Sequence, residues 1–270
     1  MEDDSITFLG TAGDTSTINK RIRASGGIII NYRGSQIHLD PGPGSLIQYR
    51  NCKINPRNTI ATIVTNYEMG HCADVNPVLS AMTHEGLDNR GVLIGSKSII
   101  EGSEHENPIL WKRCRQFVEK SIVIKNGERV GINDYDIHAI SSETKDPTGF
   151  GLKIYTQDFT IAYTSDTRFI PSMARYYEDA DIIIIKCVYP DHEEKMDKIS
   201  LGDVKRMVVD ALPRVAILTG YGSKMVNSDP QFLARELHRE TGVRVLAAHD
   251  GMSINPMDYS KKRAESRVLY

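Results

Sequence analysis

The sequence has few of the features that mark unusual protein classes. Its 270 residues include only four cysteines, one tryptophan and 11 prolines, and Lys+Arg (33) nearly balance Asp+Glu (35). The longest strictly apolar runs are four residues, such as 182–185, whereas a membrane-spanning helix needs about 20. The N-terminal MEDDSITF is acidic where a signal peptide would be basic. These absences exclude a collagen, a coiled coil or a disordered chain and predict a cytoplasmic globular protein.

The cysteine spacing and the charge each limit the function further. The four cysteines contain no C-x-x-C pair, so we expect reduced thiols and predict neither a disulfide framework nor a structural zinc site. A net charge of −2 gives no general attraction to phosphate backbones. We predict a single domain over 1–257 and a polar C-terminal tail over 258–270, which carries the one basic cluster: Lys261, Lys262, Arg263 and Arg267.

Hydrophobic patterning predicts two groups of strands with helices between and after them. Short β-type runs open the chain and recur between 121 and 163, and a helix-like spacing of apolar residues covers 73–84. Strand and helix then alternate, with predicted capping boxes at Ser200 with Asp203 and at Ser228 with Gln231. This order predicts an α/β fold with four layers, αββα, in which two mixed sheets pack face to face and the helices cover the outer faces.

Five loops at predicted strand ends are the candidate places for a site, because ligands in layered α/β folds bind where loops leave the strands. They are 10–14, 40–44, 65–74, 164–168 and 219–225. The last loop is glycine-rich and contains Lys224, a composition that can cradle phosphate. It lacks the full G-x-x-x-x-G-K-[ST] pattern, however, and we predict no helix directly after it.

Six short motifs follow one another in these strands and loops. They read FLGTAG (8–13), ASGGI (24–28), HLDPGPG (38–44), YTSDT (163–167), AILTG (216–220) and AHDGM (248–252). In this order they resemble the metallo-β-lactamase fold superfamily, in particular its ribonuclease Z and cyclic-phosphodiesterase-like branch. The resemblance spans nearly the whole chain. It implies the αββα fold, a dinuclear metal centre and hydrolase activity.

The motif that should bind the metals departs from the family pattern. Active members carry T-H-x-H-x-D-H after the strand corresponding to 60–64, where this chain reads TNYEMGH. The resemblance implies that metal ligands have been replaced at four positions: Asn66, Glu68, Gly70 and Gly220. A further histidine, expected near Glu143, is also absent.

Three other positions of the family pattern carry a side chain that is able to bind a ligand or transfer a proton. His71 is the surviving histidine of the motif, Asp166 matches the bridging aspartate, and Lys198 stands where relatives place a histidine proton donor. A zinc pair that generates hydroxide near neutral pH needs several imidazoles and a bridging carboxylate. One histidine and one aspartate do not meet that need.

The first hypothesis is therefore a non-catalytic binding or regulatory homologue. It has no cofactor, and it forms a homo- or hetero-oligomer that can include an active homologue. In this interpretation Glu68 and His71 are ordinary loop residues, and Asp166 accepts backbone N–H groups in a turn.

The alternative is a phosphodiesterase-like hydrolase with one divalent cation, Mn²⁺, Mg²⁺ or Zn²⁺. Its candidate ligands are Glu68, His71, Asp166 and Glu143, and its candidate catalytic residues are Asp166 and Lys198. A third hypothesis, a cleft that binds nucleotide or nucleic acid without cleaving it, requires a basic cleft surface, and a neutral cleft would count against it.

Overall fold

A computed structural model describes residues 4–104, 107–191 and 198–261. Within these ranges the strands are β1 (Ser5–Phe8), β2 (Ile28–Tyr32), β3 (Ser35–Leu39), β4 (Thr59–Val64), β5 (Val92–Gly95), β6 (Lys120–Val123), β7 (Arg129–Ile132), β8 (Tyr135–Ser141), β9 (Phe150–Tyr155), β10 (Thr160–Tyr163), β11 (Ile182–Tyr189), β12 (Ile199–Ser200), β13 (Val215–Thr219), β14 (Val245–Ala247) and β15 (Ser253–Ile254). They form two mixed sheets, ordered β15-β1-β2-β3-β4-β5-β6 and β14-β13-β11-β10-β9-β8-β7, and β12 pairs with β11.

Helices cover the outer faces of both sheets. They are α1 (Thr15–Asn19), α2 (Ser45–Asn51), α3 (Met69–Cys72), α4 (Val75–Thr83), α5 (Lys97–Ile100), α6 (Ala174–Tyr177), α7 (Leu201–Ala211), α8 (Ser223–Asn227) and α9 (Pro230–Thr241). Short 3₁₀ helices lie at Pro56–Asn58, Cys114–Gln116, Pro171–Met173 and Pro256–Tyr259. No helix within the described ranges is both long enough and apolar enough to cross a membrane.

Strand β11 illustrates why the chain forms layers. Side chains alternate across a strand, so a continuous apolar run is buried on both faces. Ile182 and Ile184 lie in the core between the two sheets, together with Ile37 and Ile63 of the first sheet. Ile183 and Ile185 point the other way and pack in the layer that contains α7 and α9. The four-residue apolar run at 182–185 is therefore buried on both faces of its strand.

The outer face of the first sheet is covered in the same way. Val75, Leu79 and Met82, on one side of α4, share a buried cluster with Val64 of β4 and Leu93 of β5. Helix, sheet, sheet and helix thus form the four αββα layers that the sequence predicts.

The capping predictions have different outcomes. Ser200 caps α7 in a reciprocal box with Asp203, as predicted. The cap of α9 was wrong by one residue, because Asp229 and not Ser228 accepts the amides of Gln231 and Phe232. An aspartate is as good an N-cap as a serine, and the Pro230 that follows takes the first helical position, which suits proline.

The predicted domain end at 257 falls inside the 3₁₀ helix Pro256–Tyr259. Chain after that helix still contacts the body, since Ser260 Oγ donates to the carbonyl of Asp158 and the Lys261 amide donates to Asp181 Oδ1 at 2.9 Å. The other members of the basic cluster, Lys262, Arg263 and Arg267, lie outside the described residues. All four cysteines are free thiols.

Candidate functional site

The candidate site lies where parallel strands of both sheets end. Asp40 follows β3, Thr65 follows β4, and these strands run parallel. In the second sheet Asp166 follows β10, Lys186 lies near the end of β11, and Gly220 follows β13, again on parallel neighbours. A cleft of about 550 Å³ opens above them. The charged and ionisable residues of its lining are Asp14, Glu68, His71, Lys145, Asp166, Lys186 and Lys198, with Tyr189 beside them.

Asp166 is the centre of a buried charge cluster. Its Oδ2 accepts a hydrogen bond from Lys198 Nζ at 2.7 Å and lies 3.1 Å from His71 Nε2. Its Oδ1 lies 3.0 Å from Lys186 Nζ, which is close enough for ionic attraction, but the two are not aligned for a hydrogen bond. Burial alone would raise the pKa of this carboxyl, but Lys186, His71 and Lys198 hold it well below its usual value. The expectation that Asp166 accepts backbone N–H groups was wrong, because its recorded partners are cationic side chains.

His71 is held in place from below by Asp40. Its Nδ1 lies 2.7 Å from Asp40 Oδ2, which also accepts the Tyr163 hydroxyl at 2.8 Å. The other oxygen of Asp40 accepts the Thr65 amide at 2.8 Å. Burial would raise the pKa of Asp40, but the charge and hydrogen bond of His71 lower it below its usual value. With acceptors on this side, the partners assign the Nδ1 proton to His71 and point Nε2 toward the cleft.

The cleft-facing nitrogen of His71 contacts a lysine. Lys186 Nζ lies 2.7 Å from His71 Nε2. Burial and the Lys186 charge lower the pKa of His71, but Asp40 and Asp166 outweigh them and leave it raised. Above that pKa the ammonium donates to a neutral ring. Below it Nε2–H has Asp166 Oδ2 within reach.

Lys198 links Glu68 to Asp166. Its Nζ donates to Glu68 Oε2 and to Asp166 Oδ2, each at 2.7 Å. Burial would lower the pKa of Lys198, but the charges of Asp166 and Glu68 raise it above its usual value. The structure therefore brings four of the sequence-predicted residues together: Glu68, His71, Asp166 and Lys198.

The other predicted positions do not add a ligand to this cluster. Asn66 uses its amide internally, donating to Ser165 Oγ at 3.2 Å and accepting the Glu68 amide at 2.9 Å. Gly70 lies at the cleft wall and Gly220 lies against Lys186. Glu143 is not brought to the cluster, because it forms a surface ion pair with Arg168. Within the described ranges, no group of three or more His, Cys, Asp or Glu side chains is arranged to hold a metal ion.

Two residues of the cluster, Asp40 and Lys186, were not among the sequence candidates. Lys186 had a usable signal, because it directly follows four isoleucines in a strand that is buried on both faces. A buried ammonium without a partner is very costly, so that position implies a carboxylate nearby. The sequence could not say which carboxylate it was.

The glycine-rich loop and Cys72 do not form further sites. The successive amides of Tyr221, Gly222 and Ser223 donate to Thr11, Val188 and Asp14, so they point at protein and not at a phosphate. Helix α8 begins directly at Ser223, where none was predicted. Cys72 is fully buried, and burial raises the pKa of its thiol to about 12.

The family is shown by a sequence match. A family model described as a β-lactamase superfamily domain matches residues 35–221, which is more than half of the chain. The chain therefore belongs to the β-lactamase superfamily, and its sheets and layers are those of the metallo-β-lactamase fold. Among curated proteins, the uncharacterized protein MJ1374 of Methanocaldococcus jannaschii is 29% identical over 251 residues, covering 92% of this chain and 94% of that protein.

Solved structures share the fold at low identity. The metallo-β-lactamase fold protein YhfI from Bacillus subtilis has a TM-score of 0.78 at 18% identity, covering 94% of this chain and 99% of that one. The Zn²⁺-bound PqqB from Methylobacterium extorquens has a TM-score of 0.70 at 15% identity, covering 93% and 99%. Human tRNase Z, short form, has a TM-score of 0.67 at 12% identity with the same coverage. These likenesses extend to the fold alone.

Proposed function

We propose that this protein is a non-catalytic member of its superfamily that works by binding, as a regulatory or partner subunit, without a metal ion. One observation carries the proposal. The three candidate ligands that lie together already have lysine partners: Lys198 bonds Glu68 and Asp166, and Lys186 bonds His71. A divalent cation needs the same lone pairs of nitrogen and oxygen, and the ammonium groups would repel it.

The remaining positions support the same conclusion. Gly70 and Gly220 have no side chain to offer, and the Asn66 amide is already bonded to Ser165 and to the Glu68 amide. The donor set therefore does not fit the dinuclear centre that the resemblance implies.

The charge of the cleft counts against nucleotide or nucleic acid as the ligand. Its lining has three carboxylates, Asp14, Glu68 and Asp166, and three lysines, Lys145, Lys186 and Lys198. Phosphate backbones are bound by an excess of Lys and Arg over acidic residues, and this lining has no such excess.

A cytoplasmic location is part of the proposal. The four free thiols agree with it, because the cytosol keeps cysteines reduced.

Metal content and hydrolysis, measured on the same preparation, test the proposal. Protein purified without chelator is analysed for metals and assayed on bis-p-nitrophenyl phosphate with added Mn²⁺, Mg²⁺ or Zn²⁺, next to Asp166→Asn. We expect no stoichiometric metal and no turnover. Near-stoichiometric metal and hydrolysis, both lost in Asp166→Asn, would overturn the proposal in favour of a hydrolase with one cation on Glu68, His71 and Asp166.

The oligomeric part of the proposal has a separate test. Light scattering after size-exclusion chromatography gives the mass of the purified protein, and co-expression with a catalytically active homologue tests the mixed assembly. A protein that is monomeric both alone and after co-expression would contradict this part.

A further inference from the structure

The side chain of Lys186 fills the space that a side chain at Gly220 would need. β11 and β13 are parallel neighbours, with Lys186 opposite Thr219, so the lysine side chain passes directly over Gly220. A Cβ added at Gly220 would lie 2.7 Å from Lys186 Cε, 2.9 Å from Cγ and 3.0 Å from Cβ. Such distances are below van der Waals contact, so a side chain at 220 and the observed path of Lys186 exclude each other.

The end of the Lys186 side chain lies where the surrounding groups would otherwise present lone pairs to a cation. It contacts His71 Nε2 at 2.7 Å and Asp166 Oδ1 at 3.0 Å. Asp40 fixes the His71 ring through Nδ1 at 2.7 Å. An imidazole that is held by a carboxylate on one nitrogen and presents the other is the usual arrangement of a metal-binding histidine. Here an ammonium group lies 2.7 Å from the presented nitrogen.

The second lysine repeats this relation on the other side of the same carboxylate. Lys198 Nζ lies 2.7 Å from Asp166 Oδ2 and 2.7 Å from Glu68 Oε2. Asp166 is therefore a bridging carboxylate with a cation at each oxygen. A bridging carboxylate between two cations is also what a two-metal centre requires, but both cations here belong to the chain.

We propose that Lys186 and Lys198 are built-in cations that replace metal ions at this site, and that Lys186 can do so because position 220 is a glycine. The inference rests on the proposed function only in taking the cleft as metal-free. It has a specific consequence: removing Lys186 leaves His71 Nε2 and Asp166 Oδ1 without a cation, while Lys198 stays on Asp166 Oδ2. Adding a ligand at position 220 then gives a divalent metal a place to bind.

Four proteins form the test: the wild type, Gly220→His, Lys186→Ala and the double variant Lys186→Ala/Gly220→His. Melting temperatures are measured with EDTA and with added Zn²⁺. Lys186→Ala should lower the melting temperature by on the order of 10 °C, because the buried carboxylate of Asp166 loses one of its cationic partners. Gly220→His alone should lower the melting temperature by more than the strain of a histidine at φ +65° accounts for, because the new side chain also collides with Lys186.

The double variant should differ from the single variants in the cost of Gly220→His and in the response of its melting temperature to Zn²⁺. Gly220→His should cost less in the Lys186→Ala background than in the wild type, because only the left-handed φ of +65° and the 3.0 Å contact with Cβ of residue 186 remain. Zn²⁺ should raise the melting temperature of the double variant in a concentration-dependent way, because the metal binds the folded state. Calorimetry should then give about one Zn²⁺ per chain. The wild type should not respond to Zn²⁺.

Two matched controls separate these effects from general damage. Gly242 also has a positive φ, of 73°, but nothing lies within 4 Å of an added Cβ, so Gly242→His should have the same effect with or without Lys186. Lys153 is a buried lysine that donates to the carbonyl of Glu178 and, among the residues that the structure describes, has no carboxylate partner, so Lys153→Ala should lose stability and gain no Zn²⁺ response.

Each outcome decides the inference. A Gly220→His effect that is the same in both backgrounds, or a double variant that ignores Zn²⁺, would overturn it. If Lys186→Ala does not fold, Lys186→Met and Lys186→Met/Asp166→Asn replace it. Lys186→Met/Asp166→Asn must then be more stable than Lys186→Met, because it also removes the buried charge that Lys186 balanced. Hydrolysis by the wild type without metal would overturn the proposed function but leave this inference intact. An effect of Gly220→His that does not depend on Lys186 would overturn this inference but leave the proposed function intact.

Discussion

Asp40→Asn tests whether the charge cluster stabilises the fold. Asp40 is 3% exposed and has a left-handed φ of 52°. Asparagine is among the residues that tolerate that conformation best, so the substitution keeps the backbone and the shape of the side chain. What it removes is one negative charge and one acceptor.

The magnitude follows from the partners of each oxygen. The Oδ1 position can still accept the Thr65 amide at 2.8 Å. At the Oδ2 position an amide NH₂ would face two donors, His71 Nδ1–H at 2.7 Å and the Tyr163 hydroxyl at 2.8 Å. His71 can switch tautomer only by placing a proton on Nε2, 2.7 Å from the Lys186 ammonium. Breaking a buried ionic contact in this way costs about 3–5 kcal/mol, and we expect about 3 kcal/mol because Thr65 keeps its bond.

Urea denaturation followed by circular dichroism measures the loss, with Asp74→Asn as control. Asp74 is likewise an acceptor of backbone amides, from Gly44 and Ser45 at 2.9 Å each, but within the described part of the chain it has no cationic partner. Its replacement should cost about 1 kcal/mol. If Asp40→Asn costs no more than Asp74→Asn, the cluster does not contribute the stability argued here and the reasoning is wrong.

Three further predictions concern pH, a helix cap and a surface residue. Because the pKa of His71 is raised and that of Asp40 is lowered, stability should decline as the pH rises above 6.5 through the folded-state pKa of His71. It should also decline as the pH falls below 3.8 through that of Asp40; urea midpoints across pH check both limbs, and a flat alkaline limb contradicts the first. Asp229→Ala should destabilise α9 by about 1 kcal/mol and Ser228→Ala by less than about 0.5 kcal/mol, since only the aspartate caps it; equal losses by thermal denaturation would restore the sequence-based cap. Glu143→Gln should change the unfolding free energy by less than about 0.5 kcal/mol, as expected of an exposed ion pair, and a larger loss would place Glu143 in the site after all.

The sequence was enough to predict the layers and four of the six residues of the charge cluster. The four isoleucines of β11, the Ser200 cap and the six ordered motifs each depend on residues close in sequence, because strand periodicity and capping act over a few positions. The family resemblance also brought out Glu68, His71, Asp166 and Lys198, which do meet at the cleft. Strand β5 was not predicted, since VLIG at 92–95 is too short to be distinguished by periodicity alone.

What the amino-acid sequence determined by itself is the fold and the absence of histidines from the expected positions, because both are properties of residue type and order. What only the tertiary structure decided is what takes their place. Lys186 lies 115 positions from His71 in the chain, and Lys198 lies 130 from Glu68. Their ammonium groups reach the cluster because parallel strands of two sheets end at one cleft and because Gly220 leaves room for a lysine stem. Long-range contacts of this kind are set by packing, and no local pattern encodes them.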